Sequence, residues 1–190
     1  MFSPEVQAVI DRVDALRDQV DDHWQIPAAE GLILAQIVRA GRCESICEVG
    51  TSYGFSTLHL AAAARANGGH VHTIDIDPRK TEAATASLRD AGLLDVVTLH
   101  TGKAQDVLAE LKPQRAVDFA FIDAWKDQSF EYLEALMPLL AKRATLITDN
   151  TSTHADELSD FVAHLRKLPG ATGCSVDVGN GFEWTILDRA

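Results

Sequence analysis

The chain has 190 residues, of which 46% are hydrophobic and 24% are charged, and its net charge is −11. This balance is typical of a globular protein, and the length favours one domain, residues 1–190, with a sizeable core. Because the charge is negative and no block of Lys and Arg occurs, nucleic acid is not expected as a partner. No apolar run approaches the roughly 20 residues of a membrane span, and the N-terminus carries no leader pattern, so membrane association is not expected.

The cysteines indicate the compartment. The three, Cys43, Cys47 and Cys174, cannot all pair with one another, which favours a reducing environment and predicts a cytoplasmic protein. The spacing of Cys43 and Cys47 fits no usual zinc motif, and no second pair exists, so buried thiols are favoured over metal ligands.

Two helices are predicted before the first strand. Ser3 and Pro4 form a helix start, and apolar residues then recur every three or four positions from Val6 to Val20. A second helix is predicted from about Ala28 to Ala40. We expect these helices to cap the sheet or the ligand site.

Strands and helices then alternate along the chain. The predicted strands are Ile46–Val49, His70–Ile74, Val96–His100, Val117–Ile122 and Ala144–Thr148. The predicted helices that follow them are Phe55–Ala66, Pro78–Ala91, Ala104–Leu111, Ser129–Leu140 and His154–Leu168. The last two apolar runs, Cys174–Val178 and Phe182–Leu187, flank Gly179-Asn180-Gly181 and predict an antiparallel hairpin. The pattern predicts an α/β fold, a Rossmann-like doubly wound seven-stranded sheet that is mostly parallel.

A glycine-containing loop follows the first strand. Gly50 and Gly54 are interpreted as positions where the backbone approaches a ligand, with the N–H groups of the helix at Phe55 facing it. The segment E-V-G-T-S-x-G is neither the dinucleotide pattern GxGxxG nor a P-loop. An acid before the first glycine suits an ammonium or sulfonium group better than a pyrophosphate.

Four strands end in a carboxylate, and parallel strands bring these ends to one edge of the sheet. The four acids are Glu48, Asp75, Asp123 and Asp149. Together they would repel one another unless a cation or hydroxyl groups bind between them. Asp75 follows the second strand, where an acid can meet ribose hydroxyls, although Asp77 beside it can also cap the next helix.

These segments resemble a known family. EVGTSYGFSTLHLA and TIDIDP are similar to the first two motifs of class I S-adenosylmethionine-dependent methyltransferases. The segments AGLLDVVTLHTGKAQDVLAEL, VDFAFIDAWKDQSFEYLEALMPLL and TLITDN resemble the catechol O-methyltransferases, and the similarity runs from about Trp24 to Gly170.

The resemblance implies a set of site residues. It places Mg²⁺ on Asp123, Asp149 and Asn150, and the catalytic base on Lys126. Trp24 falls near the reactive sulfonium. With the loop residues Gly50 and Ser52, the predicted set for S-adenosylmethionine is Ile26, Glu48, Gly50, Ser52, Ser56, Asp75, Ile76, Ala104, Gln105, Asp123 and Trp125.

The residue types fit this chemistry. Mg²⁺ prefers oxygen ligands, and two carboxylates with one amide leave three positions, enough for a vicinal diol and a water. Lys126 would then remove the hydroxyl proton, and the oxyanion would attack the methyl group. The expected partner is a small phenolic substrate, and the expected state is a monomer or homodimer.

Simpler interpretations remain beside several of these roles. Lys126 can be a solvated lysine, Asp149-Asn150 a helix cap, and Trp125 a core residue. His70 and His72 alternate on one strand and are favoured as satisfied or exposed side chains over metal ligands. His154 either lines the substrate pocket or caps a helix.

The sequence also departs from the family. Ala124 stands where a histidine is frequent, and Ala104 where a serine is. Residues 151–160 are polar where relatives with catechol substrates carry apolar residues. No secure counterpart exists for the glutamate that holds the second hydroxyl, for which Asp177 and Glu183 are candidates.

Three alternative functions compete with that of a catechol-type enzyme. A methyltransferase of a non-catechol metabolite would be active without added metal. A non-catalytic cofactor-binding module would not need Lys126 and the metal positions. A nicotinamide oxidoreductase is compatible with the fold but not with the loop sequence.

Overall fold

The structure, a computed structural model, describes residues 2–189. The strands are β1 (Ser45–Val49), β2 (His70–Asp75), β3 (Val97–Thr101), β4 (Val117–Ile122), β5 (Leu140–Asp149), β6 (Ala171–Val176) and β7 (Phe182–Asp188). They form one sheet in the order β3-β2-β1-β4-β5-β7-β6. The first five strands are parallel, and β7 is antiparallel to both β5 and β6. The predicted Rossmann-like sheet with a C-terminal antiparallel hairpin is confirmed.

Helices cover both faces of the sheet. They are α1 (Pro4–Asp14), α2 (Ala28–Gly41), α3 (Phe55–Asn67), α4 (Pro78–Asp90), α5 (Ala104–Glu110), α6 (Ser129–Leu136) and α7 (Ala155–Leu165). Alternate residues of β1 point to opposite faces of the sheet. Ile46 packs in the core formed with α1, α2 and α3, and Cys47 packs in a second core formed with α5, α6 and α7. Both sides of the central strands are therefore buried, as the continuous apolar runs predicted.

Two predicted boundaries on either side of Pro138 are wrong. The helix that starts at Ser129 ends at Leu136 instead of Leu140, because Pro138 cannot continue it and disfavours helical geometry in the residue before it. Strand β5 therefore begins at Leu140 instead of Ala144. The apolar pattern did not indicate this start, because Lys142 and Arg143 are charged and exposed.

The N-terminal stripe is also shorter than predicted. The α-helix ends at Asp14, and Ala15–Asp18 continues as a 3-10 turn. The side chain of Ser3 accepts a hydrogen bond from the N–H of Val6, which confirms the predicted helix start.

Strand register brings the four acids to one edge. Val49 pairs with Ile74 and with Ile122, and Ile122 pairs with Thr148. The carboxyl ends of β1, β2, β4 and β5 are therefore level with one another, as expected for a ligand site in an open parallel sheet.

The cysteines are consistent with the interpretation as thiols. Cys43 and Cys47 are free and buried, and Cys174 is free and exposed. Burial raises the pKa of both buried thiols to about 12, which favours their neutral form. Within residues 2–189, no helix has both the length and the apolar character needed to cross a bilayer.

A histidine cluster lies on the edge strand β3 and its neighbour β2. His72 Nδ1 is 3.1 Å from His100 Nε2, and His70 Nε2 is 2.8 Å from Thr98 Oγ1. The cluster is half-buried and satisfied by its own contacts, which agrees with the simpler interpretation of His70 and His72.

This cluster makes stability depend on pH. Burial, with His70 and His100 as neighbours, lowers the pKa of His72 to about 4. Between about pH 6.5 and pH 4 the unfolded chain binds a proton that the folded chain does not, so acidification destabilises the fold. We expect His72→Gln to reduce the fall in Tm between pH 7 and pH 5 by a few degrees. Thermal unfolding monitored by circular dichroism measures this difference. His164→Gln on the exposed face of α7 is the control, and an equal reduction in that variant would contradict the assignment.

Candidate functional site

The glycines of the loop after β1 are required by packing. Gly50 has a φ of +108°, and a Cβ there would overlap the carbonyl oxygen of Asp123. Gly54 has a φ of +88°, and a Cβ there would lie 3.0 Å from Ala84 Cβ on α4. The N–H of Gly50 donates to the Ile74 carbonyl at 2.9 Å. The close approaches that the structure shows at these glycines are to the protein itself. The predicted approach of this loop to a ligand stays a prediction.

Glu48 is fully buried and surrounded by hydroxyl groups. Ser56 Oγ donates to Oε1 at 2.5 Å, while Thr57 Oγ1 and Thr73 Oγ1 donate to Oε2. Burial raises the pKa of Glu48 to about 7, and the three hydroxyl groups oppose that rise. The structure therefore brings the predicted Glu48 and Ser56 together. Sequence reasoning missed Thr73, although parallel pairing of β1 with β2 sets it opposite Glu48.

Asp75 organises the loop. Its Oδ2 accepts from the N–H of Ser52 at 2.7 Å, and its Oδ1 accepts from the N–H of Asp77 at 2.9 Å. Ser52 has a φ of +46°, and its hydroxyl oxygen is buried without a partner. Each carboxylate oxygen of Asp75 keeps a free lone pair with which to accept from a ligand hydroxyl. Asp77 caps α4 through the N–H of Arg79, as the alternative interpretation had it.

Two exposed tryptophans stand beside this loop. The side chains of Trp24 and Trp125 are 65% and 58% exposed, and their rings meet edge to face with centroids 5.9 Å apart. This exposure excludes the interpretation of Trp125 as a core residue. Ile76, predicted to lie beside the adenosine, is 58% exposed. Large exposed apolar side chains at one edge indicate a binding surface.

A buried lysine, Lys80, contacts and stabilises the segment that carries Trp24. Lys80 Nζ donates to the Asp22 carbonyl at 2.9 Å and lies 5.0 Å from the centroid of the Trp24 ring and 5.5 Å from that of Tyr53. The Tyr53 hydroxyl donates to Asp22 Oδ1 at 2.9 Å. Sequence reasoning missed both residues, because Lys80 lies outside every quoted motif and Tyr53 occupies the variable position of E-V-G-T-S-x-G.

The remaining predicted cofactor positions are buried or hydrogen-bonded. Ile26 is 1% exposed, and its carbonyl accepts from Arg17 at 3.0 Å. Ala104 opens α5 and is buried, while the amide of Gln105 donates to Gln128 Oε1 at 2.8 Å. Their contact with a cofactor stays a prediction.

The predicted metal and base residues lie at the ends of β4 and β5. Lys126 Nζ is 3.2 Å from Asp123 Oδ1, so the lysine is held against the first carboxylate. Asp149 is 1% exposed, and Asn150 beside it has a φ of +67°. Its left-handed backbone at the end of the strand turns the chain sharply away from the sheet.

The carboxylates of this cluster repel one another. Burial, followed by the charges of Asp123 and Glu30, raises the pKa of Asp149 to about 8. Burial likewise raises the pKa of Asp123, although Lys126 opposes the rise. Buried acids that are poorly compensated by the chain itself fit a divalent cation, and Asp123, Asp149 and Asn150 offer the oxygen donors that Mg²⁺ prefers. Among residues 2–189, no three His, Cys, Asp or Glu side chains form a metal site by themselves, so water or substrate would have to complete this one.

Glu30 is a further acid of this region that sequence reasoning missed. It lies in the first turn of α2, is 1% exposed, and accepts at Oε1 from the N–H of Asn180 at 2.6 Å. Burial raises the pKa of Glu30 to about 7. The sequence signal that could have identified Glu30 is a charged residue on the otherwise apolar face of a helix.

The two candidates for the missing glutamate differ in position. Glu183 is fully buried and accepts from Arg166 Nε at 2.7 Å and Nη2 at 2.6 Å, so its carboxylate is already engaged by the chain, and contact with a substrate hydroxyl stays a prediction. Asp177 accepts from Ser152 Oγ at 3.1 Å, next to the loop that follows Asn150.

His154 directly precedes α7, but its side chain does not cap that helix. Instead the side chain pairs with Glu157 at 2.8 Å.

These features define a Rossmann-like ligand site at the carboxyl edge of a doubly wound sheet. They are a glycine-containing loop, an acid that can accept from ligand hydroxyl groups, and further buried acids. Comparison with known proteins identifies the family. Residues 47–151 match the family model described as "Methyltransferase domain". That match covers more than half of the chain, which therefore belongs to this methyltransferase family.

Individual relatives agree with this assignment. The catechol O-methyltransferase of Mycobacterium tuberculosis is 33% identical over 125 residues, which are 66% of this chain and 56% of that protein. A putative O-methyltransferase from Klebsiella pneumoniae superposes with a TM-score of 0.85 at 25% identity, covering 100% of this chain and 92% of the other. An O-methyltransferase from Bacillus cereus, solved in complex with SAH, has the same fold, with a TM-score of 0.84 at 23% identity and coverage of 98% and 91%. The chain spans about half the length of the first curated relatives it matches. The resemblance to catechol O-methyltransferases is confirmed.

Proposed function

We propose that the protein is a Mg²⁺-dependent O-methyltransferase that moves the methyl group of S-adenosylmethionine to one hydroxyl of a catechol-like small molecule. The observation that carries this proposal is the contact of Lys126 Nζ with Asp123 Oδ1 at 3.2 Å, next to the buried Asp149. A base beside two carboxylates and an amide suits deprotonation of a diol hydroxyl held at this edge of the sheet. The family assignment supports the methyl donor.

Different residues of the site would bind the metal and transfer the proton. Asp123, Asp149 and Asn150 would hold Mg²⁺, which when bound fixes both oxygens of a diol and lowers the pKa of its hydroxyl. Lys126 takes the hydroxyl proton at Nζ, and Asp123 keeps that nitrogen in place. The proton leaves the acceptor oxygen, which then forms a bond to the methyl carbon as the bond from that carbon to sulfur breaks.

Binding and orientation come from the loop and the aromatic pair. Asp75, already holding the N–H of Ser52, accepts from the ribose hydroxyls. Trp24 and Trp125 cover the reactants and exclude water from the sulfonium. Alignment of two bound reactants contributes on the order of several kcal/mol to such a reaction.

The test is methyl transfer from labelled S-adenosylmethionine to 3,4-dihydroxybenzoate, with Mg²⁺ and with a chelator. We expect transfer with Mg²⁺ and at least a hundredfold less with the chelator, because the diol then loses the group that orients and acidifies it. 4-Hydroxybenzoate, which lacks the second hydroxyl, is the control acceptor and should react poorly. Equal transfer with and without chelator would contradict the metal-dependent mechanism.

A second candidate is transfer to a non-catechol metabolite. The observation that favours it is the polar, largely exposed segment Thr151–His154 beside the site, with Asp177 bound to Ser152. A panel of phenols, alcohols and carboxylic acids, assayed without added metal, separates the two candidates. Faster transfer to an acceptor without a vicinal diol would favour the second.

A further inference from the structure

The turn between β6 and β7 is packed against the candidate metal site. The Thr151 N–H donates to the carbonyl of Gly181 at 2.8 Å. A Cβ on Gly181, whose φ is +74°, would overlap Ser152, and a Cβ on Gly179, whose φ is +63°, would lie 2.7 Å from Glu30 Oε1. The turn is therefore held between helix α2 and the loop that follows Asn150.

Asn180, at the centre of this turn, makes hydrogen bonds to three parts of the chain. Its N–H donates to Glu30 Oε1 at 2.6 Å. Its carbonyl accepts from the N–H groups of Ser152 and Thr153, both at 3.1 Å. Its side-chain amide donates to Asp149 Oδ2 at 3.4 Å. The first two sets of bonds fix the backbone of Asn180, and the third directs its side chain at a predicted metal ligand.

We propose that Asn180 is a positioning residue for the metal site, and this inference rests on the proposed function. By donating to Oδ2 of Asp149, the amide holds that carboxylate in one orientation and leaves Oδ1 to face a cation. Because Asp149 is buried among other acids, a neutral donor restrains it without adding charge. Glu30 acts through Asn180, since it anchors the backbone from which the amide extends.

Partners that orient metal ligands have measurable effects on affinity. Removing such a partner typically weakens metal binding about 10–100-fold. A residue that only stabilises the fold would instead lower Tm and leave the affinity of the folded protein for the metal unchanged. Metal affinity, measured apart from turnover, therefore separates positioning from a structural role.

The test uses Mn²⁺ as the probe, with binding to the full chain measured by electron paramagnetic resonance. We expect Asn180→Ala to raise the Kd for Mn²⁺ by about 10–100-fold while the Kd for S-adenosylmethionine changes less than threefold. In turnover, the Mg²⁺ concentration that gives half-maximal rate should rise by the same factor. If Asn180→Ala fails to fold, Asn180→Ser replaces it, because a serine hydroxyl is too short to make the contact with Asp149.

A matched control is Asn67→Ala. The amide of Asn67 donates to the carbonyls of Val38 and Cys43 at 2.9 and 3.0 Å, away from the sheet edge that carries the acids. Its loss should lower Tm and leave the Kd for Mn²⁺ within twofold of the wild type. A wild-type Kd in the folded Asn180 variant would overturn this inference alone, whereas a wild type that binds no Mn²⁺ would overturn the proposed function with it.

Discussion

Replacing Lys126 with alanine is expected to lower kcat/KM for a catechol by about 10²–10⁴-fold, the range typical of a lost general base. The Kd for S-adenosylmethionine should change little, because Lys126 contacts Asp123 and is not itself among the residues predicted to bind the cofactor. Initial rates with labelled S-adenosylmethionine at saturating Mg²⁺ measure the loss. Lys112→Ala, which removes an exposed lysine, is the matched control and should retain the wild-type rate.

Lys126→Arg separates proton transfer from charge. Arginine keeps a cation beside Asp123 but does not release its proton at working pH, so a base requirement predicts that it is as slow as alanine. An arginine variant with near wild-type activity would contradict the role as base and leave only an electrostatic one.

Gly50→Ala is expected to destabilise the fold by at least about 3 kcal/mol. A side chain there combines an unfavourable φ of +108° with overlap of the Asp123 carbonyl oxygen, a backbone atom that cannot move aside cheaply. Denaturant unfolding measures the change, with m used to verify that the transition remains two-state.

Gly68→Ala is the matched control for strain without overlap. Gly68 ends α3 with a φ of +74°, and a Cβ there would meet nothing within 4 Å. Its replacement should cost only about 1–2 kcal/mol, the usual penalty for a left-handed residue. Equal losses at Gly50 and Gly68 would show that the close approach to Asp123 does not constrain the chain.

The features that were predictable from sequence follow a local rule. Alternating apolar strands and Ala-rich helices define the sheet, and a parallel sheet necessarily aligns the strand ends that carry Asp75, Asp123 and Asp149. Helix starts at Ser3 and Asp77 were readable because a capping side chain lies within three residues of the N–H it accepts from.

The features that were missed depend on contacts between distant segments. Lys80 meets Trp24 and Tyr53 from a separate helix, and Asn180 meets Glu30 across the site. No spacing rule connects such positions, because their proximity follows from how helices and hairpin pack on the sheet. The ion pair of Glu183 was missed for the same reason, since its partner Arg166 lies directly after the end of α7.

The bond between Asn180 and Glu30 also bears on the order of folding, because it joins residues 150 positions apart. During synthesis the first strands and the loop after β1 can form their own contacts while the C-terminal hairpin is still in the ribosome. Until β7 pairs with β5, the acidic edge of the sheet lacks the turn between β6 and β7 that packs against it. Contacts of such long range close late and slowly, so a nascent chain acquires a complete site only at the end of folding.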